Sequence, residues 1–161
     1  MRKPRRAYIA FIVDVFARMI VGWKVSSSLR SDFATDAVEM AIYSRSSNSN
    51  KLVHHNDVGV QYLSHRYSAR LEEAGITPSV GSKGDSCDNA LGETVNGLCK
   101  TEMVYRSGPF EEVEGLEWST LLYVDWSNNR RICGWIGMIT PAEYERNYYA
   151  QISLGNKLVP K

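Results

Sequence analysis

Cysteine is scarce in this chain: Cys87, Cys99 and Cys133 are the only three in 161 residues. They are too few and too scattered to frame a disulfide-stapled fold, and none forms a C-x-x-C pair. Reduced thiols in a cytoplasmic protein are the expectation. No apolar run approaches the roughly 20 residues that span a bilayer. The basic start is not followed by a clean apolar stretch, since Asp14 and Arg18 interrupt it, which argues against a secretory leader. Net charge is nearly absent too, at a formal +1. The chain therefore lacks the overall basic bias common among nucleic-acid binders. Its charge is patchy instead, with four positive side chains in residues 1–6 and four negative ones in 111–117. Local patches can do what net charge does not. A hydrophobic content of 43% excludes wholesale disorder. The length fits one domain over 7–149, between a basic leader at 1–6 and a tail at 150–161.

Residues 7–25 hold two runs rich in β-branched and aromatic side chains, separated by Asp14-Val15-Phe16-Ala17-Arg18. This pattern predicts a β-hairpin, with Asp14 in a turn or strand-end role. Ser31 and Asp32 offer caps for a helix over 32–45, where Ala34, Ala37, Val38, Ala41 and Ile42 share one face. After the polar linker at 46–50, Lys51–His55 reads as a short strand. A helix follows over 64–74, capped by Ser64 and stopped by Gly75. Ile76–Val80 contains Pro78, which suits an edge strand. Residues 81–86 form a small polar loop. Asp88 or Asn89 then caps a helix to 104, another helix fits 110–126, and Pro141–Glu145 opens a short last one. The order ββ-α-β-α-β-α-α predicts a mixed α/β fold with a central sheet. No internal repeat is evident.

Two carboxylates stand out. Asp57 lies in His54-His55-Asn56-Asp57-Val58-Gly59, directly after the predicted strand. Glu93 lies in Asp88-Asn89-Ala90-Leu91-Gly92-Glu93, near a helix start, and 35 residues separate the two. On that helix Glu93, Gly97 and Lys100 share a face, while Leu91, Val95 and Leu98 make the neighbouring apolar stripe. A carboxylate, a gap and a cation in line suit a metal ligand, room for a backbone and a phosphate contact. The alternative is a solvated helix surface with an incidental glutamate. Asp57 likewise fits either a ligand at a strand's C-terminal end or a turn aspartate before Gly59. His54 and His55 are neighbours on a strand and point to opposite faces, so they are poor joint zinc ligands. Oxygen-only ligation selects magnesium or manganese, and two such ions can activate an attacking oxygen and stabilise a leaving one.

Together these segments resemble the integrase core of DDE transposases, in particular the OrfB-type transposases of bacterial insertion sequences, relatives of retroviral integrases. Phe11–Trp23 is similar to the family's hairpin, His54–Tyr62 to its second-aspartate motif, and Ser82–Glu93 with Lys100-Thr101-Glu102 to its glutamate motif. Trp126–Arg131 and Thr140–Tyr144 are similar to its C-terminal end, and the 35-residue gap matches the family's spacing. The resemblance implies a ribonuclease H-like mixed sheet flanked by helices. It implies Asp57 and Glu93 as catalytic metal ligands for Mg²⁺ or Mn²⁺. DNA contacts would fall to Lys100, Lys83, Arg130 and Arg131. The reaction implied is cleavage at transposon ends and strand transfer to target DNA. The implied partners are DNA and either a second copy or an intact transposase, in the bacterial cytoplasm at the nucleoid.

The chain departs from the pattern at one chemically serious point. The family's first aspartate sits in an Asp-x-Thr-Tyr-like motif on a first strand, and no such motif occurs here. That strand and its carboxylate are therefore expected to be missing, leaving two carboxylates to hold the ions and a strand edge exposed. Weak metal binding and little catalysis by this chain alone follow. A non-catalytic fragment that binds DNA or joins and inhibits an intact transposase is the alternative, as is a decayed remnant. Val58, Val60, Ser127 and Cys133 are smaller departures that bear on substrate contacts.

Overall fold

The structure is a computed structural model that describes residues 6–28, 31–45, 52–56, 65–80 and 90–157. Its order is β1 (Tyr8–Val13), β2 (Ile20–Ser26), α1 (Ser31–Ser44), β3 (Val53–Asn56), α2 (His65–Glu73), β4 (Thr77–Val80) and α3 (Ala90–Cys99). The helix of α3 continues through a π-helical turn, Lys100–Val104, into the short α4 (Tyr105–Ser107). Then come α5 (Val113–Asn129), a 3₁₀ turn at Gly134–Ile136, and α6 (Pro141–Lys157).

β1 and β2 pair antiparallel from Tyr8↔Ser26 to Ile12↔Gly22, then shift so that Val13 meets Ile20. The turn between them is built by Asp14. Its Oδ1 accepts the Phe16 N–H at 2.8 Å, and its own N–H donates to the Met19 carbonyl at 2.8 Å. Arg18 closes the turn in the left-handed region at φ 59°. The nearly continuous apolar character of β1 follows from burial on both faces. Tyr8, Ala10 and Ile12 pack with Phe33, Ala34, Ala37 and Val38 of α1 and with Tyr67 and Leu71 of α2. Ile9, Phe11 and Val13 pack on the opposite side with Cys99, Met103, Leu116, Tyr123 and Val124. The result is a sheet between two helical layers.

β3 and β4 pair in parallel from Val53↔Thr77 to Asn56↔Val80, with α2 as the crossover. Gly75, at φ 70°, takes the left-handed conformation that stops α2. Pro78 lies on β4, which pairs with β3 alone among the described residues. The mixed sheet expected from the sequence thus takes the form of two two-stranded halves, β1-β2 and β3-β4.

Three helices differ from the expected bounds. The helix carrying Glu93 is not uniformly α but widens at Lys100–Val104. The next helix starts at Val113 rather than 110, because Phe110 stays outside it and packs into the core beside Leu116. It ends at Asn129 rather than 126, since Asn128 is bonded to β2 while still helical. The last helix is long, not short. Phe16 of the β1–β2 turn stacks against Tyr144 and Tyr148, with ring centroids 5.1 and 4.7 Å away. Arg45 also bridges Asp14 and Glu145, tying the turn, the end of α1 and α6 together. These contacts come from distant segments and leave no local trace in the sequence.

Gly22 marks the closest approach of β2 to α1. A Cβ there would sit 2.1 Å from the Ala37 carbonyl oxygen, whereas one at Gly97 on α3 would meet nothing within 4 Å. Gly22→Ala is therefore expected to destabilise the fold by about 1–3 kcal/mol or more through overpacking against backbone. Gly97→Ala should stabilise it by about 0.5–1 kcal/mol by improving helix propensity. Urea unfolding of the two variants checks both signs.

Candidate metal centre

Glu93 occupies the first turn of α3, where its charge complements the helix N-terminus. Its side chain is exposed, as are Gly97 and Lys100 further along the same helix. The face inferred from i, i+4, i+7 spacing therefore looks outward, while Cys99 and Met103 of the same helix enter the core. Burial pushes the Cys99 thiol up to about 11, so it stays protonated.

Leu91, Gly92, Glu93 and Asn96 of α3 form one wall of a cavity of about 330 Å³. β1 and β3 form most of the rest, including His55 and Asn56 at the C-terminal end of β3, with Val15 of the hairpin turn and Tyr67 of α2 completing it. Asp57 is the next residue along the chain and lies outside the described residues, as does Lys83. Among the described residues, Glu93 thus shares its cavity with the immediate neighbour of Asp57. Asn56 is 8% exposed, and its Oδ1 has no hydrogen-bond partner among those residues. No group of three or more His, Cys, Asp or Glu side chains converges among the described residues.

The two adjacent histidines diverge. His54 is half-buried, with Nε2 2.6 Å from the Tyr67 hydroxyl, whereas His55 is exposed, with Nδ1 3.3 Å from Ser79 Oγ. Burial first, then the neighbouring His55, lowers the His54 pKa.

The layer behind Glu93 is held by groups that the sequence did not single out. Asn128 of α5 clamps β2: its Oδ1 accepts the Ile20 N–H at 2.9 Å and its Nδ2 donates to the Ile20 carbonyl at 2.8 Å. Paired asparagines inside a helix end are a visible signal, because asparagine is a weak helix former that stays where its amide has a partner. Arg131 places Nε 3.2 Å from both carboxylate oxygens of Glu102 in the π-helical turn. The Tyr123 hydroxyl adds a 3.4 Å bond to the same carboxylate. Its pKa is raised by burial and then by the charge of Glu102. Arg130, in contrast, is exposed at the end of α5. No helix among the described residues is long and apolar enough to cross a membrane.

Residues 1–86 match an integrase core domain, and residues 93–148 match a second integrase core domain family. This chain belongs to the integrase core family. Its sequence is 47% identical over 149 residues to a putative transposase for insertion sequence element IS986/IS6110 of Mycobacterium tuberculosis, covering 90% of the chain and 54% of that protein. It is 49% identical over 149 residues to the transposase for insertion sequence element IS629 of Shigella sonnei, covering 92% of the chain and 49% of that protein. The chain thus spans about half the length of these curated relatives. Among solved structures, the catalytic core domain of BIV integrase matches with TM-score 0.62 at 21% identity, covering 89% of each chain. A simian T-cell lymphotropic virus intasome in complex with PP2A regulatory subunit B56 gamma matches with TM-score 0.68 at 15% identity, covering 84% of this chain and 47% of that one. Both likenesses establish the ribonuclease H-like fold.

The His54 environment sets a pH dependence. Its folded pKa lies below the ordinary 6.5, so the unfolded chain binds the extra proton first. Stability is expected to be full above about pH 6.5 and to fall as pH drops through that value towards the folded pKa. Melting temperatures measured from about pH 8 to pH 5 should decline in acid, and His54→Gln should flatten the decline.

Proposed function

We propose that this integrase core acts in DNA transposition, with Asp57 and Glu93 as the carboxylates that hold Mg²⁺ or Mn²⁺. The observation that carries this reading is the shared cavity of Glu93 and Asn56, the residue before Asp57. The donor set fits hard ions, because it offers carboxylate oxygens beside an amide oxygen that lacks a partner among the described residues. Bound there, the ions would supply Lewis-acid stabilisation of a phosphoryl group under attack. The relatives named as transposases support the reaction class, and so does a related HTLV-2 integrase catalytic core solved in complex with magnesium, at TM-score 0.60.

The chain's own residues would position DNA. Lys100 shares a helical face with Glu93, Gly97 leaves open space between them, and Arg130 stands exposed at the end of α5. A phosphate backbone laid along α3 would meet the Lys100 ammonium while its scissile phosphate reached Glu93. Lys83 would add a further contact. Arg131 gives its Nε to Glu102 and would reach DNA only with its terminal nitrogens. In strand transfer a 3′-hydroxyl forms the new P–O bond as the target strand's own 3′-oxygen leaves.

Asp57 and Glu93 are two of the three carboxylates that the family resemblance implies, so metal binding by these 161 residues alone is expected to be weak. Titration calorimetry with Mn²⁺ should give a Kd near about 1 mM, and strand transfer on labelled transposon ends should stay at background. Sub-micromolar binding of two ions, or robust strand transfer abolished by Asp57→Ala and Glu93→Ala, would overturn that expectation and make the chain a complete enzyme.

DNA binding is separable from catalysis. Lys100→Ala is expected to weaken DNA binding alike across sequences and to reduce the slope of log K against log[salt] by about 1. An unchanged slope would remove Lys100 from the DNA path.

A further inference from the structure

A second cavity, of about 750 Å³, lies between α3, the C-terminal end of α5 and the loop that follows it. Pockets that enclose a small organic ligand measure about 300–1,000 Å³. Leu91, Val95 and Leu98 of α3 give this one an apolar floor. Two guanidinium groups stand in its wall, Arg18 from the β1–β2 turn and Arg131, and no aspartate or glutamate lines it among the described residues. Arg18 forms no ion pair among those residues. Arg131 uses only its Nε for Glu102. Two positive groups without a counter-charge in the wall favour an anion. The loop after α5 leaves three large apolar side chains in water: Ile132 is 58% exposed, Trp135 87% and Met138 69%, and the first two line the cavity. This loop is tied down. The Cys133 N–H donates to the Ile139 carbonyl at 3.0 Å, and the Met138 N–H donates to the Cys133 carbonyl at 3.1 Å. Ile136 is buried beneath it, and Gly137 and Met138 take the left-handed region at φ 89° and 62°. Trp135 is thus held outward by a constrained backbone, as a flat face beside a cationic cavity.

We infer that this cavity binds one unpaired nucleotide of a DNA strand, its base stacked on Trp135 and its phosphate held between Arg18 and the terminal nitrogens of Arg131. The inference rests on the DNA path proposed along α3 and adds a pocket for a base beside it. The first turns of α3 separate this pocket from the candidate metal centre. Leu91 lines both cavities, and Thr94 in the wall of this one directly follows Glu93 in the wall of the other. A helix with its side chains is about 10–12 Å across. A strand that crosses α3 therefore passes from one cavity to the other within a few nucleotides. The pocket matches a nucleotide at both of its ends. The apolar floor and the indole take the ring, the guanidinium groups take the phosphate, and Ser127 puts a hydroxyl in the wall for a ring edge. A carboxylate ligand would meet the charge but leave the indole and the floor in water. A paired base stays inside the duplex stack, so only an unpaired one can enter. Stacking tolerates any base, so the pocket reads whether a base is unpaired rather than which base it is.

The test compares a blunt DNA duplex with the same duplex carrying a short single-stranded tail, each titrated with the full 161-residue chain without metal. The tail is expected to tighten binding about tenfold. A tail of abasic sites, which keeps the phosphates and loses the rings, should not. Trp135→Ala should abolish the gain and Trp135→Phe should keep most of it. A 5-iodouracil walked along the tail should crosslink to Trp135 on irradiation. Arg18→Gln should reduce the slope of log K against log[salt] for tailed DNA by about 0.7 and leave the slope for the blunt duplex alone. A tail that adds nothing, a gain equal for abasic sites, or a gain undiminished in Trp135→Ala overturns the inference. So does deoxyadenosine monophosphate that displaces the tail at micromolar concentration, which makes the cavity a site for free nucleotides. An effect of Trp135→Ala that tracks self-association of the chain also overturns it, because the indole then belongs to a contact between copies. A blunt duplex held through Lys100, with no gain from the tail, sinks the pocket and leaves the DNA path standing. Tailed DNA crosslinked to Trp135 in a chain whose duplex binding ignores Lys100 sinks that path and leaves the pocket, reached from another side.

Discussion

The amide of Asn128 holds both backbone groups of Ile20, at 2.9 and 2.8 Å, from a helix more than a hundred residues downstream. Ile20 sits where the β1–β2 register shifts, and its own side chain is buried. Fixing this residue fixes the phase of the hairpin against α5. From α5 the linkage passes through Tyr123 and Arg131 to Glu102, and along that helix back to Glu93. A charge-assisted pair that is largely withdrawn from water is stiff as well as directional. The position of the candidate carboxylate is thus set by a chain of contacts that begins at the sheet. Two stretches that the sequence singles out as motifs, the hairpin and the segment ending Asn-Asn-Arg-Arg, turn out to be opposite ends of one brace.

Much of the fold was legible because local chemistry dictates it. β1 and β2 announce themselves by β-branched and aromatic runs, α1 by the spacing of Ala34, Ala37 and Val38, and the end of α2 by Gly75. These features depend on neighbours within a few residues. The length of α6, the Arg45 bridge and the split of the sheet depend on segments far apart in sequence, so no window of residues contains them. The candidate site was legible in part for the same reason. Glu93, Gly97 and Lys100 could be placed on one outward face by helical arithmetic. The cavity beside Glu93 is a relation between β1, β3 and α3, which periodicity along any one of them does not encode.

Among the described residues β1 is packed on both faces and hydrogen-bonded on one edge. That combination is uncommon, because a strand buried on both faces is ordinarily an interior strand of its sheet. The side-chain pattern of β1 therefore belongs to a wider sheet than the one its described backbone bonds form. The mismatch bears directly on chemistry. Glu93 and Asn56 border the same opening, so whatever fills the opening also changes the solvent and the charges around the carboxylate. Water in an open gap weakens electrostatic interactions that a dry one strengthens. Sheet pairing and the electrostatic surroundings of Glu93 share this one wall.

The π-helical turn at Lys100–Val104 has a consequence for how length is read in this molecule. An i→i+5 turn holds one residue more than an i→i+4 turn, so side chains beyond it lag by about 100°. Glu93 and Glu102 are nine residues apart, about half a revolution of regular helix, so the first looks outward while the second reaches Arg131. The residues whose phase the extra residue changes are those after Val104, where Tyr105–Ser107 continue the helix. A homologue one residue shorter in this turn regains regular helix with Glu93 and Glu102 unmoved, so a single-residue gap in an alignment at this point would signal conserved architecture, not divergence.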